Sequence, residues 1–516
     1  MATQKLIDFL ISSEDSPFAG KQVKCIETHI SYILLVGDFA YKIKKSTTVG
    51  DASICDFRTL EQRKWSCERE LELNRRYAPD MYLAVLPIYQ NGSLYSFEGP
   101  GEVVEYAVSM RRFEQSNLLN NLLEDGAVTI ADITALVDRL CVFYQNAEAA
   151  PKYGTTNQLL DMVEENVETT NALAQKLMPQ QQKDINKLLA RYNFCFVQVS
   201  HHFSDRHKAG LVKSLHGDLH TGNIARIKGE LIPFDGLEFN DRLSCTDQVM
   251  DIAFLIMDLI SRNRMDMANV VLNRYLERTD DFDGLSILPF CLAHRALVRA
   301  KVTLLKAEGQ QGVEQVQSIK EARRFIKLAE NCLARKKPQA VVAFGGLSGS
   351  GKSTVASGVT QLWDDLVAHI KSDAVRKHIV GCPLDETAPP EAYADSVSDA
   401  VYDGLVKRAA MAVETGFLPF LDATHIKAEG RDTLQNWAKQ HALKLVGIWC
   451  YVDQATAEKR IRSRKNDVSD ANVAIYHMQL DEFDPKKLSW ERVNTISSPA
   501  KNARKAKSLI EKNLSN

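Results

Sequence analysis

The chain has 516 residues, of which 45% are hydrophobic and 25% are charged, and its formal net charge at pH 7 is −2. This length exceeds what one hydrophobic core usually supports, so two or three domains are expected. The balanced charge excludes the global signal of a protein that binds nucleic acid or a membrane surface.

The ten cysteines and the apolar segments indicate which kinds of protein can be excluded. The cysteines form no CxxC pair, which argues against a zinc ribbon or a disulfide framework and is typical of reduced thiols. Residues 1–10 are amphipathic rather than signal-like, and the most apolar run, residues 253–260, is short and contains Asp258. We therefore expect a cytoplasmic protein without a membrane-spanning segment.

The first two-thirds of the chain predict a mixture of strands and helices. Residues 28–45 alternate like a β-hairpin, and residues 58–77 form a charged helical pattern. Further elements are predicted in chain order: a helix within 1–20, strands at 85–89 and 103–110, helices over 117–206, short strands around a polar loop at 211–235, and helices at 248–259 and 292–333.

The polar loop His216-Gly217-Asp218-Leu219-His220-Thr221-Gly222-Asn223 has the spacing of a kinase catalytic loop, and Asp235 follows a short apolar run. In such a site a carboxylate receives or orients the proton of a substrate hydroxyl, while an amide and a second carboxylate hold Mg²⁺ against the ATP phosphates. This pattern predicts Asp218 as the catalytic base and Asn223 and Asp235 as metal ligands. An alternative is that His216 and His220 bind a transition metal.

This loop resembles that of the aminoglycoside phosphotransferase family, which has a protein-kinase-like α+β fold. Ala40-Tyr41-Lys42 resembles the strand that carries the phosphate-pairing lysine, Glu70 lies where its carboxylate partner should be, and Asp251 matches a structural aspartate. The resemblance implies ATP-binding roles for Lys42 or Lys44, which share one strand face, and for Glu70. A solvated basic edge is the alternative. The family's glycine-rich G-x-G-x-x-G loop is absent.

A charged, proline-stopped connector, residues 335–338, predicts a boundary between a kinase-like domain of residues 1–335 and a P-loop domain of residues 338–516. After an apolar strand at 340–344, residues 346–353 match G-x-x-x-x-G-K-[ST], whose backbone amides, lysine and hydroxyl cradle phosphates and Mg²⁺. A helix is predicted over 355–369. The predicted ATP-binding residues here are Gly346, Leu347, Ser348, Gly349, Ser350, Gly351, Lys352, Ser353 and Thr354, with Ser353 also on the metal.

Three segments after the P-loop are candidates for catalysis. Ser372-Asp373 with Arg376 resembles the substrate side of small P-loop kinases, where Asp373 orients the acceptor hydroxyl and Arg376 grips an anionic group. A helix cap is the alternative. The apolar strand 417–421 ends in Asp422, which is placed to hold Mg²⁺. Arg460 and Arg464, one turn apart, predict either a catalytic lid or a solvated helix face.

Five further segments resemble a bacterial family, and with the motifs above they extend the resemblance over essentially the whole sequence: residues 28–31, 41–45, 67–71, 238–242 and 295–301. This family of bifunctional proteins joins an aminoglycoside-phosphotransferase-like domain to an α/β P-loop domain with a parallel sheet, similar to zeta-toxin and small-molecule kinases. The expected activity is transfer of the γ-phosphoryl group of Mg·ATP to a hydroxyl of a small molecule, with ATP and Mg²⁺ as cofactors. The alternatives are a nucleotide-dependent regulatory protein with a non-catalytic kinase-like half, and a polynucleotide kinase. Neither a nucleic-acid partner nor a membrane partner is expected.

Overall fold

The structure is a computed structural model that describes residues 2–49, 55–463 and 471–515. The chain divides into two compact units, Met1–Asp161 with Phe203–Leu255, and Met162–His202 with Ile256–Asn516. The connector at 335–338 lies within the second unit, so the expected domain bounds remain a prediction. Each unit is described separately below.

The first unit begins with an antiparallel sheet of six strands in the order β1-β2-β3-β8-β6-β7. A two-stranded ribbon, β4 and β5, stands apart from it. These elements confirm the predicted hairpin, the charged helix and the strands around residues 85 and 105. Their bounds are α1 (Ala2–Ser12), β1 (Val23–Glu27), β2 (Ser31–Val36), β3 (Phe39–Lys44), β4 (Thr48–Val49), β5 (Cys55–Asp56), α2 (Leu60–Arg75), β6 (Tyr82–Asn91), β7 (Leu94–Ser96) and β8 (Glu102–Arg111).

Each face of this sheet packs against one helix, because side chains alternate between the faces of a strand. Ile43 belongs to the core with α1, whereas Ala40 belongs to the core with α2. Lys42 and Lys44 lie two and four residues beyond Ala40, so both project toward α2. The predicted shared face of the two lysines is therefore confirmed.

A mainly helical part follows the sheet. Strands β10 and β11 form an antiparallel hairpin, and β9 pairs with β12. The sheet, the helix α2 and the elements that follow it give the first unit an α+β protein-kinase-like fold. In this unit lie α3 (Leu119–Glu124), α4 (Ile130–Asn146), β9 (Val212–Ser214), β10 (Ile224–Ile227), β11 (Glu230–Pro233), α7 (Asp241–Ser244) and β12 (Cys245–Asp247). The division between the units falls within α5 (Thr156–Leu177), α6 (Gln182–Lys208) and α8 (Gln248–Ser261), and the second unit includes α9 (Met265–Thr279), α10 (Leu288–Glu308) and α11 (Gly312–Leu333).

The second unit contains a five-stranded sheet in the order β14-β15-β13-β16-β17, with all neighbours parallel. Helices connect the strands, as parallel pairing requires. This part has the expected α/β P-loop fold. The bounds are β13 (Ala340–Gly345), α12 (Lys352–Leu362), β14 (Val367–Lys371), α13 (Ser372–Val380), α14 (Asp395–Glu414), β15 (Leu418–Asp422), α15 (Ala428–Gln440), β16 (Lys444–Tyr451), α16 (Gln454–Ser463), α17 (Val473–Glu482), β17 (Glu491–Asn494) and α18 (Pro499–Ser515).

The helix predicted over residues 355–369 is wrong in its second half. Helix α12 ends at Leu362, and residues 367–371 form β14, which pairs with β15. Apolar residues at helical spacing continue through Leu366, and a short apolar run fits a buried strand equally well. The pairing with β15 decides the outcome, and this pairing partner lies about fifty residues away in sequence.

Helix α9 protects the free edge of β14 with two asparagine side chains. The amide of Asn269 donates to Asp365 O (3.0 Å) and accepts from Val367 N (3.0 Å). One helical turn later, Asn273 donates to Val367 O (3.1 Å) and accepts from His369 N (2.6 Å). The backbone groups Asp365 O, Val367 N, Val367 O and His369 N at this edge are thus paired, although the described residues place no strand beside it.

Within residues 2–49, 55–463 and 471–515, no helix combines the length and the apolar character that a membrane span needs.

Replacing Asn273 with alanine should destabilise the second unit, because it removes the two hydrogen bonds to β14 and leaves buried backbone groups of that strand without these partners. We expect a loss of about 1–3 kcal/mol in the free energy of unfolding, measured by urea denaturation. The control is Asn331→Ala on the exposed face of α11, which should change that free energy by less than about 0.5 kcal/mol. Equal effects of the two variants would contradict the edge-pairing role.

Candidate functional site

The first candidate site centres on Lys42, which joins the sheet to two carboxylates from other segments. Its Nζ lies 2.8 Å from Glu70 Oε1 on α2 and 2.5 Å from Asp235 Oδ1, which follows β11. Burial lowers the pKa of Lys42, but Asp235 and Glu70 outweigh it, so the pKa is raised well above its usual value. Lys42 therefore stays charged.

Lys44 lies on the same face but is enclosed more completely. It contacts Glu70 Oε2 at 2.5 Å and forms a short ion pair with Glu238, and its side chain has no exposed surface. The two lysines thus share Glu70, but only Lys42 reaches Asp235, whose carboxylate is partly exposed. Of the two lysines left open by the sequence, Lys42 has the position from which a ligand beside Asp235 can be contacted.

The hairpin β10–β11 brings the predicted catalytic loop next to Asp235. Asn223 immediately precedes β10, and its carbonyl accepts a hydrogen bond from Phe234 N (2.9 Å). The Asn223 amide donates to Asp218 Oδ2 (2.9 Å) and to Asp218 O (3.0 Å). The structure therefore brings Asp218, Asn223 and Asp235 together at the base of one hairpin. Partial burial raises the pKa of Asp235, but Lys42 lowers it further, so this carboxylate stays ionised.

Two residues other than the predicted base and metal ligands fix the position of this loop. Asp251 accepts from Gly217 N (2.8 Å) and from the Tyr144 hydroxyl (2.9 Å). His216 uses both ring nitrogens, because Nε2 lies 2.9 Å from Phe234 O and Nδ1 accepts from Asp218 N at 3.3 Å. Burial lowers the pKa of His216. These contacts give His216 a structural position; His220 Nε2 lies 3.4 Å from Asp218 Oδ2.

Three contributors to this site were not predicted as site residues: Asn74, Tyr82 and Glu238. Asp235 has a left-handed backbone with φ of 59°, and its amide donates to the Tyr82 hydroxyl at 3.1 Å. The next amide, of Gly236, donates to Asn74 Oδ1 at 2.8 Å. Asn74 is four residues beyond Glu70 on α2, so helical spacing was a usable signal. Glu238 and Tyr82 carried no such signal.

The second candidate site is the P-loop between β13 and α12. A Cβ atom on Gly346, at φ of 146°, would lie 2.3 Å from Cys450 O. A Cβ atom on Gly349, at φ of 76°, would lie 2.6 Å from Ala457 O. Only glycine fits these positions, where the loop passes close to other backbone. The loop borders a cavity of about 380 Å³, lined by Lys352, Ser353 and Thr354 among others.

Other P-loop residues make internal contacts. Leu347 packs against the small core between α16 and α17. Ser348 N donates to Gln479 Oε1 on α17 (2.8 Å), and Ser350 O accepts from the Thr495 hydroxyl (2.6 Å). Arg460 donates to Thr495 Oγ1 at 2.9 Å, which places this arginine at the cavity. The predicted catalytic residue Arg464 lies outside the described residues. Gln479 and Thr495 were not predicted.

Asp422 ends β15 beside the P-loop, as predicted for a metal-binding carboxylate. It is buried, its Oδ2 lies 3.3 Å from His369 Nε2, and its Oδ1 has no hydrogen bond of ordinary geometry to the described residues. Burial raises the pKa of Asp422, but His369, Lys352 and Ser353 lower it below its usual value. An ionised, buried carboxylate next to the Ser353 hydroxyl, with one oxygen that lacks a hydrogen bond of ordinary geometry in the described part of the chain, fits a divalent cation.

Asp373 lies in the first turn of α13 and lines both the P-loop cavity and a neighbouring cavity of about 590 Å³. It does not form the N-cap, which is Lys371. Arg376 donates to Ala392 O (2.6 Å) and lies over the Tyr393 ring, 4.9 Å from its centroid. The arginine expected to grip an anionic group is therefore held in place by its own unit, while its Nε makes no hydrogen bond of ordinary geometry to the described residues.

Lys371, at the edge of the P-loop cavity, is held by α9. Its Nζ lies 2.8 Å from Glu277 Oε1, and Arg274 Nη1 forms a second ion pair with Glu277 Oε2, also at 2.8 Å. Burial raises the pKa of Glu277, but Lys371 and Arg274 lower it to about 2. This ion pair connects Lys371 at the P-loop cavity to α9, the helix whose asparagine side chains bond to the edge of β14.

The parallel sheet and the glycine-built loop define the second unit as containing a P-loop domain. Residues 341–485 match the family model described as AAA domain. An uncharacterized protein of Mycobacterium tuberculosis, Rv2004c, is 29% identical over 469 residues, which cover 89% of each chain, and the uncharacterized Mycobacterium bovis protein Mb2027c has the same values. Together with the folds described above, these matches confirm the expected resemblance.

Solved structures similar to this chain include kinases that align with different portions of it. A gluconokinase from Sinorhizobium meliloti is 18% identical, with 35% of this chain and 97% of that chain covered and a TM-score of 0.26. A choline kinase from Cryptosporidium parvum is 9% identical (64% and 94% covered, TM-score 0.38). The GDP complex of aminoglycoside 2'-phosphotransferase-IIIa is 14% identical (63% and 98% covered, TM-score 0.37). These likenesses do not identify a substrate.

The Glu277 ion pair predicts a pH dependence of stability. Because its pKa falls from about 4.5 unfolded to about 2 folded, the pair stabilises the second unit fully above pH 4.5, and this contribution is lost as the pH falls toward 2. We expect Glu277→Gln to lower the free energy of unfolding by about 3 kcal/mol at pH 7 and by less at pH 3. Urea denaturation at both values measures this, with exposed Glu321→Gln as control; a pH-independent difference would contradict it.

Proposed function

We propose that the protein is an ATP-dependent phosphotransferase with two nucleotide sites, which moves the γ-phosphoryl group of Mg·ATP to hydroxyl groups of small molecules. The observation that carries the proposal is the pair of independent phosphate-binding arrangements. One is Lys42 bound to Glu70 and Asp235 beside Asp218 and Asn223. The other is the P-loop that ends in Lys352.

In the first site, Glu70 holds the Lys42 ammonium where it can bind ATP phosphates. Asn223 and Asp235 supply the amide and carboxylate oxygens that suit Mg²⁺. Asp218 is oriented by the Asn223 amide and is partly exposed, so it can accept the proton of a substrate hydroxyl. Mg²⁺, when bound, would neutralise charge on the phosphates.

In the second site, the amides of the P-loop and the start of α12 favour an anion, and Lys352 adds a positive charge. Ser353 and Asp422 are the residues that would hold Mg²⁺. Arg460, anchored on Thr495, lies where it can contact a phosphate. Asp373 lines both the P-loop cavity and its neighbour, so it can orient a hydroxyl toward the phosphate.

Two nucleotide sites predict a stoichiometry. Isothermal titration with a non-hydrolysable ATP analogue and Mg²⁺ should give two sites per chain, falling to one in Lys42→Met, to one in Lys352→Ala and to none in the double variant, because each change removes one phosphate-binding cation. Lys45→Ala and Lys459→Ala, which change exposed or partly exposed lysines outside the two sites, are matched controls. A single site in the unmodified protein would contradict the proposal.

Catalysis in the first site is tested separately with Asp218→Asn, which keeps the size of the side chain but removes the base. We expect ADP release with a metabolite acceptor that stays active in Lys352→Ala, and so belongs to the first site, to fall by about 100-fold or more, while ATP stoichiometry stays at two. Asp184→Asn, on the exposed side of α6, should leave the rate unchanged.

Two results would favour other functions. Two bound nucleotides without ATP-dependent mass gain in any metabolite would favour a regulatory protein. Labelled phosphate on oligonucleotide ends, lost in Lys352→Ala, would favour a polynucleotide kinase.

A further inference from the structure

The cavity of about 590 Å³ next to the P-loop is the space in which an acceptor would meet the γ-phosphate. It shares Lys352, Ser372 and Asp373 with the P-loop cavity. Its lining is strongly acidic, with carboxylates from the four helices α13, α14, α15 and α17. These carboxylates are Asp373, Asp395, Asp399, Asp403, Glu429 and Glu482.

Three of these carboxylates lie on one face of α14, because Asp395, Asp399 and Asp403 are spaced by four residues. Like charges at this spacing destabilise a helix by about 0.2–0.5 kcal/mol per pair. Among the described residues, no salt bridge joins any of the three to a cation. Asp395 is in the first turn, where the helix dipole favours it, but Asp399 and Asp403 lack that compensation.

The cavity lining holds three cations against six carboxylates. Arg376 donates to Ala392 O and to Ser398 Oγ and stacks over Tyr393, while its Nε makes no hydrogen bond of ordinary geometry to the described residues. Lys427 lies 3.5 Å from Glu482. Lys352 belongs to the phosphate-binding loop. An anionic acceptor would therefore meet an excess of carboxylates, whereas a cationic acceptor would be attracted by them.

A buried histidine gives a second, independent sign of a ligand in this cavity. His425 lines it, is 3% exposed, and neither ring nitrogen makes a hydrogen bond of ordinary geometry within the described part of the chain. Its left-handed backbone, with φ of 48°, is held by Arg431, which donates to His425 O at 2.9 Å, and by the Tyr402 hydroxyl. Burial lowers the pKa of His425 to about 4, so the ring is neutral. A neutral imidazole at the cavity wall can accept a hydrogen bond from an N–H or O–H group.

We propose that the acceptor of the second site is a hydroxyl compound that carries a protonated amine, with the amine bound by Asp399 and Asp403 and a donor group bound by His425. This inference rests on the proposed phosphotransferase function. The acceptor oxygen bonds to the γ-phosphorus as the bond to the β-phosphate oxygen breaks, ADP leaves, and the hydroxyl proton passes to Asp373 and then to solvent.

The test compares probes that share a skeleton and differ in charge. Glucosamine, glucose and gluconate form one set, and 2-aminoethanol, ethylene glycol and glycolate form another. Binding to the full-length protein is measured by isothermal titration in saturating Mg²⁺ and a non-hydrolysable ATP analogue. In at least one set we expect the amine to bind about tenfold or more tightly than the carboxylate, since one charge-assisted hydrogen bond accounts for such a ratio.

Variants then assign the binding to this cavity. The double variant Asp399→Asn/Asp403→Asn should lose the preference for the amine, while Asp432→Asn, an exposed residue of the neighbouring helix α15, should keep it. His425→Asn, chosen because asparagine tolerates a left-handed backbone, should weaken amine binding several-fold.

Several results would overturn the inference: equal or tighter binding of the carboxylates, no amine binding at millimolar concentration, an unchanged preference in the double variant, or displacement of the amine by excess Mg²⁺ alone. Nucleotide binding separates this failure from failure of the proposed function. If the P-loop binds Mg·ATP and the amine preference is absent, only the acceptor class is wrong. If the P-loop does not bind Mg·ATP, the proposed function itself fails.

Discussion

A buried ammonium bound to two carboxylates is the interaction on which the first unit's site depends. Lys42 comes from a central strand, Glu70 from the helix on one sheet face, and Asp235 from a segment almost two hundred residues later. Burying one such charge alone costs several kcal/mol, so each member requires the others. The contact therefore specifies how the sheet, α2 and the β10–β11 hairpin fit together, and it places the part-exposed Asp235 next to the catalytic loop.

The P-loop of the second unit depends on close backbone packing rather than on a buried ion pair. Two glycines of the P-loop pass so close to the carbonyls of Cys450 and Ala457 that no larger residue fits. At the edge of the sheet formed by β14, the side chains of Asn269 and Asn273 make hydrogen bonds to the backbone that a neighbouring strand would otherwise make. The helix that supplies them also holds Lys371 through Glu277, so the stability of the sheet and the shape of the cavity have one physical source.

The local motifs were predictable because each depends on residues that are close in sequence. The P-loop, the hairpin of β2 and β3 and the loop around Asp218 are of this kind. The one wrong element arises where a distant partner decides. Residues 367–371 become a strand because β15 pairs with them. The contacts of Arg376 with Ala392 and Ser398 were likewise not predictable, because only the folded chain brings these residues near it.

By itself, the sequence determined that the chain carries a P-loop motif and a loop with the spacing of a kinase catalytic loop, on an α/β and on an α+β scaffold, and which residue types could perform phosphoryl transfer. Only the tertiary structure decided which of two equivalent lysines reaches Asp235, that His216 is occupied by the loop it belongs to, and that the space beside the P-loop is acidic. The reason is physical: periodicity and spacing report the neighbours of a residue along a strand or helix, whereas charge pairing and cavity lining depend on segments that meet only after folding.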